Sequence, residues 1–494
     1  MPDTPIASPF SFDSTGLRLM PGKGLAAQLY TALRERILSG QIDHQVKLPT
    51  TRELARVLQI SRTTAIRAYD QLYAEGYISA RVGDGTYVSA SALDIAQAPA
   101  IETATEAPVL SRFAQRMVVH ANARPQAGPP RAFRLGVPAL DLFPADIWSR
   151  LYAEFWRRTP QNRIGYSDAA GDLHLRSMIA GYLRNARGLL CDPSQVIVTA
   201  GTQQAIFLCA QLLLDPGATA AIENPGYPRA ASALTLAGAQ LAGIAVDDQG
   251  LVMQELAARK EIGLVYVTPS NQYPMGVTLS LARRLELLAW AEANQGFVLE
   301  DDYDGEYRYN GTPLAPLASL DRSGRVLYMG TFSKIAFPGL RLGYIVAPPA
   351  LAAPLADLRS QYDRHSSVAE QAVMAEFIAQ GHFQRHVRRM RRASRARRDM
   401  MVSAWDSLRP GGIVLPDIAA GLHCSVPLAG RKEEIALIAA AAAAGVEIDP
   451  LTRFWLPDSP PASHRHGLVM GFGGIDEAAI AVAISALQQA WRRY

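Results

Sequence analysis

Residues 326–344 read VLYMGTFSKIAFPGLRLGY. The apolar run Val326–Met329 has the length and composition of a buried strand. It ends in Gly330-Thr331-Phe332-Ser333-Lys334, so two hydroxyls and a lysine stand at its carboxyl end, with Arg341 following. Three other apolar runs end in the same manner. VIV leads into Thr199-Ala-Gly-Thr-Gln-Gln, LVYV into Pro269-Ser-Asn-Gln-Tyr-Pro, and FVLE into Asp301-Asp-Tyr-Asp. From Arg131 onward such runs alternate with amphipathic helical patterns, which predicts an α/β domain with a mostly parallel central sheet. Open sheets of this kind bind ligands at the carboxyl edge of their strands.

The groups gathered at that edge define a chemistry. The Gly-containing turn before Gln203 opens a predicted helix, whose backbone N–H groups suit an anion such as phosphate. Thr331, Ser333 and Arg341 add hydroxyls and a guanidinium. Lys334, partly desolvated beside Arg341, should have a lowered pKa and a more nucleophilic amine. Asp301, on another strand end, can partner a protonated ring nitrogen. Phosphate site, Schiff-base lysine and acidic ring partner are together the requirements of pyridoxal 5′-phosphate (PLP). Each motif alone is ordinary: a lysine after a strand is usually a surface residue, and an acidic tetrad is usually a solvated loop. The conjunction carries the reading.

Composition sets the outer bounds. The chain has 494 residues, 49 Lys+Arg against 45 Asp+Glu, and 49% hydrophobic residues. That length fits two or three domains and the apolar content excludes wholesale disorder. Cys191, Cys209 and Cys424 are too few and too far apart for a disulfide framework, and read as reduced core thiols. No run approaches the ~18 apolar residues of a membrane span, and the N-terminus has no signal-peptide pattern, so a cytoplasmic location is expected. A net charge of +4 does not by itself indicate nucleic acid.

The N-terminal region carries a second pattern. A helix is predicted over roughly Leu25–Ser39, with Leu29, Leu33, Ile37 and Leu38 on one face. Residues 48–88 then read LPTTRELARVLQISRTTAIRAYDQLYAEGYISARVGDGTYV. Thr50 and Glu53 have capping-box spacing, and Leu54, Ala55 and Leu58 form the apolar face of a short helix. Ser61 caps a third helix expected to bury Ala65, Ile66, Tyr69 and Leu72. Two short helices joined by such a turn make a helix-turn-helix. The segments flanking Gly83-Asp84-Gly85 form a hairpin, which serves as a wing. In such a motif the N-terminal residues of the recognition helix face the major groove, here Arg62, Thr63 and Thr64, with Arg67 a turn later. Arg52 is placed to hold phosphate. With 10 Lys/Arg against 8 Asp/Glu in residues 1–90, this is no generic basic patch. A winged helix used for protein contacts is the competing reading; Ser-Arg-Thr-Thr at the helix start favours DNA.

LPTTRELA, SRTTAIRAY, LYAEGYI and GDGTYV resemble the winged helix-turn-helix of GntR-type bacterial transcription regulators. The resemblance implies double-stranded operator DNA as partner, contacted by Arg52, Arg62, Thr63, Thr64 and the wing glycines, Gly85 among them. The lysine run, with YSDAAGDLHLR and ENPGYPRA, resembles fold type I aminotransferases. That resemblance implies Lys334 as the cofactor lysine, Asp301 on the pyridine nitrogen and Tyr303 near the ring's phenolic oxygen. It also implies Tyr227 against the ring and Asn271 at a cofactor oxygen, with Thr202, Gln203, Ser333 and Arg341 around the phosphate. Tyr166 would reach the phosphate site of a second subunit, which implies a homodimer. Joined in one chain, the halves resemble the MocR subfamily of GntR regulators. The implied layout is a winged helix-turn-helix at 20–90, a linker at 91–130 with a short helix within Leu110–His120, and an aminotransferase-like PLP domain with a smaller C-terminal subdomain at 131–494.

Several departures shape the functional expectation. The residues before the LP motif are Gln45-Val46-Lys47, where the family often has Gly. Ile66 stands where many members have Arg, and Asn271 where many have His. Aminotransferases have an Arg near the position of Val469 to bind the substrate carboxylate; Arg465 is too far along the chain to assume equivalence, and Arg229 remains available for an anion. Arg385–Arg398 holds eight arginines, but Val387, Met390 and Ala393–Ala396 suggest a buried stripe, so this helix is read as structural rather than as a second DNA site. Two functions remain: a PLP-dependent regulator sensing PLP or a small amino compound, or a working aminotransferase carrying a DNA module. Val469 favours the regulator, because transamination of α-amino acids needs a fixed carboxylate clamp.

Overall fold

A computed structural model describes residues 24–43, 46–90, 131–158, 161–309, 314–457 and 466–492, with a few isolated positions between them. Arg465 and, isolated positions apart, the expected linker with its short helix lie outside the described residues. The chain divides into two compact units, Met1–Val109 and Leu110–Tyr494.

The first unit runs α1 (Leu25–Leu38), β1 (Lys47–Leu48), α2 (Thr51–Val57), α3 (Arg62–Ala74), β2 (Ile78–Arg81) and β3 (Gly85–Val88). The strands form an antiparallel sheet in the order β1-β3-β2. Local chemistry sets the helix starts. Thr50 Oγ1 accepts from the Glu53 amide at 3.2 Å while Glu53 Oε2 accepts from the Thr50 amide at 3.0 Å, and Ser61 Oγ accepts from the Thr64 amide at 3.1 Å. Each such cap stabilises its helix by about 1 kcal/mol. Leu29, Leu33, Ile37, Leu54, Ala65, Ala68 and Leu72 close a core between the three helices. Ile66, expected inside, is 37% exposed. The buried stripe of α3 is Ala65, Ala68, Tyr69 and Leu72, and Ile66 falls one position off it.

The second unit is a three-layer α/β/α structure with a smaller appended layer. Its helices are α4 (Ala145–Arg158), α5 (Leu173–Arg187), α6 (Thr202–Leu213), α7 (Pro228–Leu236), α8 (Met253–Ala257), α9 (Leu281–Ala293), α10 (Pro349–Tyr362), α11 (Val368–Ala379), α12 (His382–Leu408), α13 (Arg431–Ala443) and α14 (Glu477–Ala490). The central strands are β4 (Val196–Thr199), β5 (Thr219–Asn224), β6 (Gln240–Asp247), β7 (Gly250–Leu251), β8 (Ile262–Val267), β9 (Phe297–Asp302), β10 (Val326–Thr331) and β11 (Gly343–Val346), in the order β4-β11-β10-β9-β8-β5-β6-β7. β5, β6, β8, β9 and β10 pair in parallel, while β11 runs against both β10 and β4. The strands are buried on both faces and therefore read as continuous apolar runs. One face packs Ile197, Ile222, Leu264, Leu299 and Met329 against α6, α7 and α10. The other packs Val198, Tyr328 and Tyr344 against α4, α5 and α11.

The smaller layer is an antiparallel sheet, β12 (His423–Pro427), β13 (Asp449–Pro450) and β14 (Gly467–Gly471), in the order β12-β14-β13. It shares a core with α13, α14 and the end of α12 around Met401, Trp405 and Trp491. In α12 the buried stripe is Phe383, His386, Met390, Ser394, Arg397, Met401 and Trp405. Ala396, expected on the buried side, is exposed. Arg397 is buried instead, donating to the Gly473 carbonyl at 2.6 Å and to Asp141 at 2.7 Å. Cys191, Cys209 and Cys424 are free and buried. Among the described residues no helix is long and apolar enough to cross a membrane.

Candidate functional site

The parallel strands bring their carboxyl ends to one edge, where Asp301, Lys334 and the segment of Asn271 lie. Asp301 lies near the end of β9 and is 3% exposed. Its Oδ2 accepts from the Tyr266 hydroxyl at 2.8 Å, while Oδ1 is buried with no hydrogen-bond partner. Burial raises the carboxyl to about 7, against the Tyr266 hydrogen bond, which lowers it. Just beyond β8, Asn271 Nδ2 donates to Asp304 Oδ2 at 2.8 Å and to the Tyr303 hydroxyl at 3.2 Å, and the Tyr303 hydroxyl donates to the Asn271 carbonyl at 3.0 Å. Asn271 Oδ1 is a second buried atom without a partner.

Lys334 follows β10. Its Nζ donates to the Gly136 carbonyl at 2.8 Å, and its own carbonyl accepts from the Tyr307 hydroxyl at 2.7 Å. Burial lowers its pKa; the carboxylates of Asp304 and Asp301 oppose that shift and Arg229 adds to it. The direction agrees with the sequence expectation, but its cause does not. Arg341, the expected neighbour, does not contribute; Arg229 is the cation that Lys334 feels. Tyr227 stands at the start of α7 with its ring edge-to-face on Tyr273 at 5.4 Å, and burial pushes its hydroxyl up to about 12. Tyr273 in turn packs edge-to-face on Tyr303 at 5.7 Å.

The turn expected to hold an anion lies between β4 and α6. Gly201 precedes α6 with φ 97°, and no side chain caps that helix. Its first-turn N–H groups thus have no acceptor from a capping side chain. Arg341 adopts the left-handed region (φ 54°) and donates to the Ala200 carbonyl at 2.6 Å. A Cβ on Gly201 would meet that guanidinium at 3.3 Å, so glycine lets the cation close over the turn. Thr202 and Gln203 form the first turn of α6, and Ser333 stands at the end of β10, its amide donating to Thr331 Oγ1 at 3.2 Å. The neighbouring Gln204 does the local pinning: Oε1 accepts from the Ala200 amide at 2.7 Å and Nε2 donates to Asp363 at 2.6 Å. Tyr166 is 83% exposed, beside His365 and under Arg364 at 4.7 Å.

A buried acid lacking one donor, a buried amide oxygen lacking another, a burial-tuned lysine and an uncapped helix start closed by arginine together fit PLP. The smaller sheet supplies one wall. His423 lies 5.0 Å from the Tyr273 ring, and burial lowers it to about 4. Val469 is fully buried with Leu451 and Phe454, and Leu135, Tyr273 and Met275 pack on that cluster. The position at which the aminotransferase resemblance implies a carboxylate-binding arginine is therefore apolar. Sequence reading missed Tyr266, Asp304, Gly136 and His423. For Tyr266 a signal existed: a tyrosine inside an otherwise apolar strand needs a partner for its hydroxyl.

In the N-terminal unit, Arg62, Thr63, Ile66 and Arg67 share the exposed face of α3, and Arg52 is exposed on α2. Thr64 is turned partly inward, its hydroxyl 2.8 Å from Ser61 Oγ. Gly85 has a role the sequence did not reveal. A Cβ there would stand 2.6 Å from Lys47 Cε, and Lys47 pairs with Asp84 at 3.3 Å across the wing. Gly85 itself has φ 138°, a conformation that L side chains rarely adopt.

Comparison with known proteins agrees with both halves. Residues 25–88 match the family described as bacterial regulatory proteins, gntR family, and residues 145–459 match aminotransferase class I and II. The chain is 38% identical over 465 residues to a probable rhizopine catabolism regulatory protein MocR of Rhizobium meliloti, covering 94% of this chain and 93% of the relative. It is 31% identical over 468 residues to the HTH-type pyridoxine biosynthesis transcriptional regulator PdxR of Corynebacterium glutamicum, covering 94% and 96%. Among solved structures, the kynurenine aminotransferase of Pyrococcus horikoshii is similar with a TM-score of 0.66 at 26% identity, covering 78% of this chain and 95% of that one.

Proposed function

The chain belongs to the MocR-type HTH transcriptional regulators, a gntR-family DNA-binding domain joined to a class I and II aminotransferase domain, and from that premise we propose that its aminotransferase-like unit is a PLP-dependent sensor that sets operator binding. The regulator reading is favoured over an enzyme, since the relatives that match nearly the whole chain are named as regulators. The aminotransferase fold family is PLP-dependent.

In this reading Lys334 holds the cofactor covalently. Asp301 faces the ring nitrogen with its unpartnered Oδ1, and Tyr303 and Asn271 serve the ring oxygen. Tyr227 lies against the ring. The turn at Gly201, with Thr202, Gln203, Ser333 and Arg341, neutralises the phosphate, and Tyr166 reaches the equivalent site of a second copy in a homodimer. Bound there, PLP supplies an electrophilic carbon that captures a primary amine reversibly. The chain's own residues prepare that capture: burial keeps more of Lys334 in the neutral, nucleophilic form, and Asp301 exchanges its proton with whatever base faces it near neutral pH.

The observation that carries the reading is the apolar cluster at Val469. An α-carboxylate buried beside it without a cation would be strongly disfavoured. The effector therefore lacks an α-carboxylate or is PLP itself; the relative named for pyridoxine biosynthesis supports the second version. An amine or sulfonate held by Arg229 is the competing version. The test presents PLP-loaded protein with a panel of amines and α-amino acids, reading cofactor absorbance and operator binding together. A change in operator binding without sustained turnover supports a sensor. Sustained transamination of an α-amino acid would make the chain an aminotransferase with a DNA module.

A further inference from the structure

A cavity of about 640 Å³ lies in the second unit between α5, α11 and the start of α12, and none of the residues assigned to the cofactor lines it. That volume suits a small organic molecule. Met178, Ile378 and Val387 give it an apolar side. Arg388 and Arg391, one turn apart on α12, border it, and neither has an acidic partner among the described residues. Arg187 also lines it but is paired with Asp302, and the one carboxylate among the lining residues, Glu306, already accepts from Tyr182 at 2.7 Å. Arg187 is 5% exposed, and its Nε is buried without a partner.

Gly181 lines this space. It sits within α5, where glycine is a poor helix former, yet a Cβ there would meet nothing within 4 Å. No packing constraint demands glycine; a larger side chain would project into the cavity instead. The far wall is the chain leaving β9. Arg187 pairs with Asp302 and donates to the Gly305 carbonyl at 2.9 Å, and Asp302 is the strand neighbour of Asp301 on the opposite face of the sheet. A molecule lodged here leans on the segment that carries the cofactor acid.

We infer that this cavity is a second ligand site, for a small organic anion with an apolar body such as an aromatic carboxylate or sulfonate, bound by Arg388 and Arg391 and seated over Gly181. The probe is anilinonaphthalene sulfonate, titrated by fluorescence into the full-length PLP-loaded protein. One saturable site is expected. Gly181→Leu should weaken it at least tenfold without lowering Tm, and Arg388→Ala with Arg391→Ala should do the same. Lys334→Ala should leave it unchanged. Phenylacetate should displace the probe, whereas inorganic phosphate at equal concentration should not. If Gly181→Leu and the double arginine variant bind the probe like the parent, the site does not exist. If phosphate displaces it as well as phenylacetate does, the apolar body is no part of the recognition and the inference fails in that form.

Discussion

Lys334 Nζ donates a 2.8 Å hydrogen bond to the carbonyl oxygen of Gly136, a residue 198 positions earlier in the chain. A Cβ on Gly136 would stand 3.1 Å from that nitrogen. The amine is thus held at the sheet edge by backbone from the start of the same unit, close to the carboxylates of Asp301 and Asp304. Protein supplied with PLP should carry it on Lys334. Borohydride reduction followed by peptide mapping should recover the label on the peptide containing residue 334. Lys334→Ala should lose the covalent label and keep weaker binding through the phosphate site; a label on another lysine would remove Lys334 from its role.

Asp301 gives a pH prediction for the cofactor-free protein. Its folded pKa, about 7, lies above the ordinary carboxyl value, so folding takes up a proton as pH rises past ~4. The stability it contributes is full below that pH and is lost progressively up to about 7, each tenfold difference in proton affinity between folded and unfolded chains being worth ~1.4 kcal/mol. Glu223 and Glu300, each also at about 7 through burial, share the trend. Asp301→Asn should therefore flatten, without abolishing, the fall in Tm between about pH 4 and about pH 7. An unchanged slope would mean that the carboxyl is not desolvated as described.

The recognition helix separates reading from anchoring. Arg62→Ala should weaken specific operator binding by ~1–3 kcal/mol while leaving non-specific binding less affected, as loss of a guanine contact would. Arg52→Ala should weaken both about equally and reduce the salt dependence, as loss of a phosphate contact would. Mobility shifts on operator and on unrelated DNA at two salt concentrations distinguish these outcomes. An Arg62→Ala protein that binds its own promoter like the parent would move the groove contact elsewhere on α3.

Val469 can be converted. It pairs with Ser425 and Asp449 across the small sheet and packs in the cluster that Tyr273 covers. Val469→Arg should create a response of operator binding to common α-amino acids, measured as a ligand-dependent change in operator Kd. It should also lower Tm, because a charged side chain then enters an apolar cluster. A Tm loss with no new amino-acid response would show that position 469 does not govern ligand choice.

How much is legible in the sequence follows from how local each feature is. The caps at Thr50 and Ser61, the helix-turn-helix and the strand-end motifs depend on residues within a few positions of one another, and all appear as expected. Asp301 and Lys334 come to one edge because the neighbouring parallel strands β9 and β10 share it, which alternation of strand and helix already implies. The Asp304–Asn271 bond, the Gly136 carbonyl on Lys334 and Tyr266 on Asp301 link distant segments, and no spacing announces them. Ile66 departs from expectation because the burial stripe of a short helix is narrow and a one-residue offset crosses its border. A wing glycine suggests close backbone approach to DNA, but the space beside Gly85 is taken by Lys47 of the same unit, a contact that only the folded hairpin creates.

The most direct test measures operator affinity by fluorescence anisotropy, using full-length cofactor-free protein, its own promoter duplex and PLP as the only addition. If the aminotransferase-like unit senses the cofactor itself, PLP alone should change the operator Kd, and Lys334→Ala should blunt that change. If PLP alone leaves that Kd unchanged, and a common α-amino acid changes it only when PLP is present, an arginine elsewhere binds that carboxylate and the assignment built on Val469 is contradicted.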